Sequence, residues 1–245
     1  MKKMVKNKII ALLIITACAV QLSAQKLVIA SGAGYKKPVT EIINAFKGET
    51  GMQVDAIFGN LQMVATQAKE SGEVACVIGD KKFLEKLKSS INFTDYTPLG
   101  KGILVLAYRK GISINKLEDI ITDKVKSLFM PQDGKAIYGI AGKETLENLR
   151  YMDKVSGKLT QVATVPQVGT YLLTGEADAG FINLTEALAD KERLGGYIIV
   201  PQKYYKPIEI VAGTVSGFGI NEQTIKFLDY LKSEKTKSIV KANGL

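Results

Sequence analysis

The chain has 245 residues, of which 46% are hydrophobic and 23% are charged, and this balance predicts a folded protein rather than a disordered one. It contains 33 Lys and Arg residues, 24 Asp and Glu residues and no histidine. Without histidine, Ser-His-Asp and Cys-His catalytic groups and histidine-ligated metal sites are excluded. Because the basic residues are scattered rather than gathered into a stripe, nucleic-acid binding is not predicted.

The first 24 residues have the three-part pattern of a secretory signal peptide. Four lysines precede the uncharged run 9–20, and small residues lead to Ala24, after which we expect cleavage. The apolar run is shorter than the roughly 17–25 residues that a membrane-spanning helix needs. Residues 15–18 also loosely resemble a lipoprotein processing site, so a lipid anchor at Cys18 is the alternative. The sequence therefore predicts a periplasmic protein. Cleavage removes the four lysines and leaves a net charge of +5 on the mature chain.

The predicted mature chain begins with a strand, a glycine-bearing turn and a helix. Residues 26–30 predict the strand and residues 31–38 the turn, and Val39, Ile42 and Phe46 mark one apolar face of the helix. The start of a helix presents backbone N–H groups without intrahelical partners at the positive end of the helix dipole. Such a turn is suited to holding an anion.

Strands and helices then alternate along the first part of the chain. The predicted elements are a strand at 53–58, a helix at 61–69, a strand at 74–78 and a helix at 82–87. This alternation predicts a mainly parallel sheet covered by helices on both faces. Cys76 lies in an apolar run and is predicted to be a buried core thiol without an intramolecular disulfide partner.

A break in the pattern at 98–102 precedes a second series of elements. The predicted strands of this series are 103–108, 127–130, 161–164 and 179–182, and the predicted helices are 117–121, 139–150, 166–173 and 185–193. The apolar runs 197–201 and 208–211 flank a second break at 203–207, and a helix follows at 225–231.

The repeated series predicts an α/β protein of two Rossmann-like lobes joined by two crossing strands. The chain is expected to leave the first lobe near Leu99 and to return near Tyr205, which suits hinge closure over a ligand. The predicted division is lobe 1 at 25–98 plus 207–245 and lobe 2 at 99–206.

Four strand-to-helix turns are candidates for ligand contact: residues 31–34, 59–61, 135–139 and 165–167. Each turn by itself is typical of ordinary helix capping. Together they favour a binding site, because ligands of open α/β sheets lie at the carboxyl ends of the strands. No P-loop, nucleophile elbow or Cys-x-x-Cys pair is present.

A secreted enzyme that uses carboxylates is a different interpretation of the same chain. Asp80 follows a strand end, and Glu144 and Lys143 lie in a predicted helix. An acidic residue in the position of Asp80 is more often a helix cap, so this interpretation is not preferred and no catalysis is predicted.

The order and spacing of several segments resemble the molybdate/tungstate-binding proteins of ABC importers, which have the type II periplasmic binding fold. The resemblance extends over essentially all of the mature chain, and the segments that carry it are 31–39, 46–51, 57–60, 78–80, 141–146 and 173–181. It implies that a tetrahedral oxyanion, molybdate or tungstate, is enclosed between two lobes and passed to a membrane permease with its ATPase. It also implies a monomeric binding protein without a cofactor.

The resemblance places ligand contacts on named positions of this chain. The first-turn serine of the family falls at Gly34, the second-turn hydroxyl at Asn60 or Leu61, the second-lobe backbone donors at Tyr138 and Val165, and the tyrosine at Asn183. Glycine supplies no hydroxyl and asparagine donates through an amide, so the ligand is open to question. We hypothesise that Ser31 or Tyr35 restores a hydroxyl at the first turn.

Three alternatives remain open from the sequence. A site made only of donors selects an anion that is fully deprotonated, which favours molybdate, tungstate or sulfate over a protonated phosphate. Sulfate and phosphate remain alternative ligands. Cavity size would distinguish sulfate from molybdate and tungstate, and donor chemistry would distinguish phosphate from all three. In the other alternative, a protein of the same fold has lost oxyanion transport and acts in ligand sensing or partner binding.

Overall fold

The computed structural model describes residues 27–87, 90–217 and 221–245. The predicted signal peptide, its cleavage point after Ala24 and the alternative anchor at Cys18 lie outside these residues. None of the helices in the described ranges is long and apolar enough to cross a membrane.

The described chain forms ten strands and nine α-helices. The strands are β1 (Leu27–Gly32), β2 (Val54–Gly59), β3 (Val74–Asp80), β4 (Phe93–Gly102), β5 (Leu104–Tyr108), β6 (Leu128–Pro131), β7 (Leu159–Val162), β8 (Ala179–Asn183), β9 (Gly196–Ile199) and β10 (Ile208–Val215). The helices are α1 (Lys36–Thr50), α2 (Leu61–Ser71), α3 (Lys81–Lys86), α4 (Ile137–Asn148), α5 (Met152–Val155), α6 (Val165–Thr174), α7 (Leu184–Ala189), α8 (Glu222–Tyr230) and α9 (Glu234–Ala242). Short 3₁₀ helices lie at Ala33–Tyr35, Leu117–Ile121, Ser156–Lys158 and Gln202–Tyr204.

The strands form two five-stranded sheets with the same plan, in the orders β2-β1-β3-β10-β4 and β7-β6-β8-β5-β9. In each sheet three strands run parallel, and the fourth is antiparallel to both of its neighbours. Four of the five strands in each sheet thus run in the same direction, so the prediction of mainly parallel sheets is confirmed, with one reversed strand in each sheet that was not predicted. The antiparallel strands, β10 and β5, are the ones that begin just after the chain crosses from the other lobe. A helical crossover within one sheet makes the next strand parallel to the previous one. A strand that arrives from the other lobe has no such crossover before it, so it can run in the opposite direction.

The first crossing lies at the end of β4, and here the sequence prediction needs correction. Residues 98–102 do not break the pattern but belong to β4, which pairs with β10 as far as Gly102. Pro98 fits a strand because β4 is at the edge of its sheet and a register shift lies beside it. The predicted lobe boundary at Leu99 thus falls within a strand of the first sheet, and the chain enters the second sheet at Leu104.

The second crossing returns through residues 200–207 and lies beside the first. The backbone N–H of Val200 donates to the carbonyl of Leu104 at 3.0 Å. The N–H of Leu104 donates to the hydroxyl of Tyr205 at 3.1 Å. These bonds join the two crossing segments, so the lobes are doubly connected at the place where the sequence predicts a hinge.

Helices cover both sheets, and their apolar faces make the core. In lobe 1, Phe46 of α1 packs edge-on against Phe227 and Tyr230 of α8, with ring centroids 5.2 Å apart in both pairs. Cys76 is fully buried, as predicted, and burial raises the pKa of its thiol to about 12. The terminal helix α9 was not predicted. It is tied to α1 by the Asn243 amide, which donates to Glu41 at 2.7 Å.

Candidate functional site

The four predicted turns meet in the cleft between the lobes and surround a cavity of about 50 Å³. Its lining residues are 32–35 and 59–61 from lobe 1, and 135–138 and 163–165 from lobe 2. A volume of this size is several times what one water molecule needs. The cavity therefore suits a small ion or molecule of a few heavy atoms.

Each lining segment stands at the start of a helix. The 3₁₀ turn Ala33–Tyr35 leads into α1, and Asn60 caps α2 with its side-chain oxygen, which accepts from the N–H of Gln62 at 2.9 Å. Ala136 precedes α4 in an extended conformation. Thr164 forms a capping box with Gln167 at the start of α6. The first N–H groups of these helices lack intrahelical acceptors, and the helix dipoles add positive potential there.

The start of α4 differs from its prediction in a way that matters for the site. The sequence predicted a helix over 139–150, whereas α4 begins at Ile137. The side chain of the cap residue Ala136 makes no hydrogen bond with the start of this helix. The first helical residues, Ile137 and Tyr138, line the cavity, and N–H groups at the start of a helix lack intrahelical acceptors.

The lining residues have a simple chemical character. Among the described residues that line the cavity, none is acidic and Lys135 is the only charged one. Its side chain is exposed. Most of the others are Gly, Ala, Leu, Ile or Val. The wall thus combines backbone donors with small apolar groups and lacks a carboxylate acceptor. This composition favours an anion without hydrogens of its own.

The eight predicted contact residues divide into two groups. Six line the cavity: Gly34, Tyr35, Asn60, Leu61, Tyr138 and Val165. Ser31 and Asn183 do not line it. Ser31 is fully buried, and its hydroxyl donates to the carbonyl of Gly32 at 3.2 Å. The roles of all eight residues as ligand contacts remain predictions.

Tyr35 and Tyr138 form a buried pair between the lobes. The Tyr35 hydroxyl donates to that of Tyr138 at 3.3 Å, and their rings lie 6.3 Å apart. Burial is the main reason that the pKa of each phenol is raised well above its usual value. For Tyr138, hydrogen bonds with Tyr35 and Asn183 partly oppose this rise. Both phenols therefore stay neutral at any physiological pH.

Asn60 and Asn183 also join the lobes, through their side-chain amides. The Asn60 amide nitrogen donates to the carbonyl of Lys135 at 3.0 Å. The Asn183 amide nitrogen donates to the carbonyl of Gly34 at 2.9 Å, and its oxygen caps α7 at the N–H of Glu186 at 3.0 Å. The predicted amide donors are therefore both engaged with backbone of the opposite lobe.

Sequence reasoning named six of the lining residues individually and covered most of the others only as members of the predicted turns. The lining residues covered in that way are Gly32, Ala33, Gly59, Lys135, Ala136 and Ile137, whereas Ala163 and Thr164 lie outside the predicted turns and were missed. One signal was available, because the pattern Thr164-x-x-Gln167 is that of a capping box and marks a helix start. The alanines carry no such signal, since they contribute only backbone and a methyl group.

The carboxylates of the alternative enzyme interpretation have other partners. Asp80 caps α3, where it accepts from the N–H of Phe83 at 2.8 Å, and burial raises its pKa. Glu144 accepts from the N–H of Lys206 at 2.8 Å and pairs with its ammonium group at 3.3 Å. Lys143 pairs with Asp133 at 3.0 Å. Asp80 and Glu144 border a separate interlobe cavity of about 200 Å³, which Lys143 does not line.

Known proteins are similar to this chain in both sequence and fold. The chain is 26% identical over 233 residues to the molybdate-binding protein ModA of Azotobacter vinelandii, covering 93% of this chain and 92% of that protein. It is 23% identical over 239 residues to ModA of Rhodobacter capsulatus, covering 96% and 93%. The solved structure of the Azotobacter vinelandii periplasmic molybdate-binding protein superposes with a TM-score of 0.81 at 22% identity, covering 89% of this chain and 97% of that one.

The structural match confirms the predicted two-lobed periplasmic binding fold. The family model described as bacterial extracellular solute-binding protein matches residues 27–245. Members of this family bind solutes and are not enzymes. The chain belongs to the family of bacterial extracellular solute-binding proteins.

Proposed function

We propose that this protein captures molybdate or tungstate between its lobes and delivers the oxyanion to an ABC permease with its ATPase. The observation that carries the proposal is the cavity of about 50 Å³ where four helix starts converge. The relatives named for molybdate binding support the same ligand class. We further propose that the mature protein is a periplasmic monomer, formed by cleavage after Ala24 or anchored by a lipid at Cys18.

The donors that we assign to the anion are mainly backbone groups. Gly34, Leu61, Tyr138 and Val165 each lie within the first residues of a turn or helix at the cavity. Backbone N–H groups at helix starts bind anions without an opposing cationic side chain. A dianion held in this way is stabilised by several helix dipoles at once.

The same donors explain selection by protonation state. Phosphate near neutral pH always carries one or two protons, and such a proton would face a wall without a carboxylate acceptor. Leaving such a buried donor unpaired costs about 1–3 kcal/mol. Molybdate, tungstate and sulfate avoid this cost, so the discrimination among these three rests on the size of the cavity.

Calorimetry of the mature protein, freed of ligand by unfolding and refolding, tests the proposal. We expect tight one-to-one binding of molybdate and tungstate, weaker binding of sulfate and little or no heat with phosphate. Preferred binding of sulfate or phosphate would contradict the assigned ligand. No heat with any of the four anions, together with retained binding to a membrane protein, would favour the sensing or partner-binding alternative.

A proline substitution tests the assignment of backbone donors. Val165→Pro removes the first N–H of α6 and keeps an aliphatic side chain, and proline is well tolerated at the first position of a helix. We expect molybdate affinity to fall by about 10- to 150-fold, because a charge-assisted hydrogen bond is worth roughly 1.5–3 kcal/mol. Glu234→Pro makes the same change at the first residue of α9, away from the cavity. Equal affinity of the two variants would remove Val165 from the site.

A further inference from the structure

Two asparagines link the lobes in a reciprocal way. Asn60 of lobe 1 caps α2 and donates to Lys135, in the turn before α4 of lobe 2. Asn183 of lobe 2 caps α7 and donates to Gly34, in the turn before α1 of lobe 1. Each side chain is held by its oxygen to its own lobe and by its nitrogen to the other.

We propose that Asn60 and Asn183 form a clasp that fixes the separation of the lobes and so positions the four turns around the cavity. Both acceptors are backbone carbonyls within the lining segments. Movement of either lobe therefore breaks a bond next to the cavity. In this role the asparagines are positioning residues, and the backbone supplies the contacts with the anion. The part of this inference that concerns the anion rests on the proposed function. The clasp itself can be measured without any ligand.

The absence of a side chain at Gly34 is part of the clasp. A Cβ atom built on Gly34 would lie 3.0 Å from the Asn183 amide nitrogen and 3.6 Å from the Cβ of Val165. The first distance is shorter than an ordinary contact, so the amide would have to move away from the carbonyl that it bonds. Gly34 and Asn183 therefore fit one another, and a larger residue at position 34 would displace the amide by a few tenths of an ångström.

The two bonds differ in their protection from water. Asn183 is fully buried, whereas Asn60 is partly exposed and its bond to Lys135 faces solvent. A shielded hydrogen bond loses more when its donor is removed. The Tyr35–Tyr138 bond lies between the same two lobes and supports the clasp from deeper in the cleft.

Serine is the informative replacement at both positions. It keeps an oxygen that caps a helix, but its side chain is too short to reach the opposite lobe. It also places a hydroxyl donor at the turn. If the asparagines serve chiefly to donate to the anion, serine preserves affinity and leaves the ligand-free protein unchanged. If they form the clasp, serine opens the ligand-free protein.

Distances between spin labels on the two lobes separate these outcomes. Gln67→Cys on α2 and Thr170→Cys on α6 provide exposed labelling sites, while Cys76 is fully buried. In the ligand-free mature protein we expect one dominant short distance. Asn183→Ser should raise the ratio of open to closed molecules by about 5- to 10-fold and Asn60→Ser by about 2- to 3-fold. The double variant should show the product of the two factors, because both act on one equilibrium.

Asn221→Ser is the matched control, since Asn221 caps α8 by accepting from the N–H of Thr224 at 2.9 Å. An unchanged distance distribution in the double variant, or a wild-type protein already dominated by the long distance, overturns the clasp. Added molybdate should restore the short distance in the variants. If the distances shift but molybdate has no effect and no oxyanion binds, the clasp stands and the proposed function fails.

Discussion

Position 34 shows how one residue constrains its partner. The family resemblance implies a serine there, and the simplest expectation is that Gly34→Ser adds a donor and strengthens binding. The structure predicts the opposite, because the new Cβ would press on the Asn183 amide at 3.0 Å. We expect about tenfold weaker molybdate binding, equivalent to roughly 1–1.5 kcal/mol of crowding.

Calorimetry with molybdate measures this change. The pair Gly34→Ser with Asn183→Ala is the control, because removal of the amide makes room for the added side chain. The pair is expected to bind molybdate as Asn183→Ala alone does, because the added side chain at position 34 no longer meets the amide. Tighter binding by the single variant would show that the family's hydroxyl can be restored without conflict.

Glu186 gives a second prediction at the residue scale, for the pH dependence of stability. Burial, and then the nearby charge of Asp190, raises the pKa of its carboxyl to about 7. The folded protein therefore binds a proton more tightly than the unfolded chain does. Stability from this group is present below about pH 4.5 and is lost as the pH rises to about 7.

Glu186→Gln removes the ionisation and should raise the free energy of unfolding at pH 8 by about 1–3 kcal/mol. At pH 4 the variant and the wild type should unfold at similar denaturant concentrations. Urea titrations at several pH values provide the comparison. Equal stability of the two proteins at pH 8 would mean that Glu186 is not strained by its charge.

At the scale of elements, two glycines in lobe 1 should respond to alanine with opposite signs. Gly72 ends α2 with φ of 64°, in the left-handed region, whereas Gly48 lies inside α1 with ordinary helical geometry. A Cβ on either one meets no atom within 4 Å. Gly72→Ala should destabilise the protein by about 1–2 kcal/mol through backbone strain.

Gly48→Ala should instead stabilise it by about 0.5–1 kcal/mol, because alanine loses less conformational entropy in a helix. Thermal unfolding of the two variants side by side checks both signs. Destabilisation by Gly48→Ala would point to a role for this glycine other than helix formation.

At the scale of the whole molecule, the hinge depends on a bond between the two crossings. The N–H of Leu104 is fully buried and donates to the hydroxyl of Tyr205, which is 5% exposed. Tyr205→Phe leaves this N–H without its acceptor, which should cost about 1–3 kcal/mol. Since both lobes meet at this point, a single unfolding transition should shift as a unit.

Tyr230→Phe makes the same chemical change on the surface, where the hydroxyl bonds Glu49 at 2.8 Å. That variant should lose only about 0–1 kcal/mol, because water replaces the lost partner. Chemical denaturation followed by circular dichroism measures both variants. A two-step transition in Tyr205→Phe would instead show that the lobes unfold separately once the hinge bond is gone.

Local chemistry made the turns predictable. The strand, glycine-bearing turn and helix after residue 26 are readable because periodicity, proline and glycine act over a few neighbouring residues. The capping chemistry of Asn60 and Thr164 is of the same kind. In contrast, Pro98 was misread, since its tolerance depends on β4 being at a sheet edge, which is a property of the assembled sheet.

By itself, the sequence determined the two-lobed α/β class, the four turns that lead into helices and the exclusion of histidine chemistry, because these depend on composition and short-range pattern. The tertiary structure alone decided the antiparallel fourth strand of each sheet and the partners of the asparagine amides. Asn183 lies 149 residues from Gly34, and nothing local to either one specifies the other. Contacts of this kind arise only when the crossings bring the lobes together, and they gather four ordinary turns around one cavity.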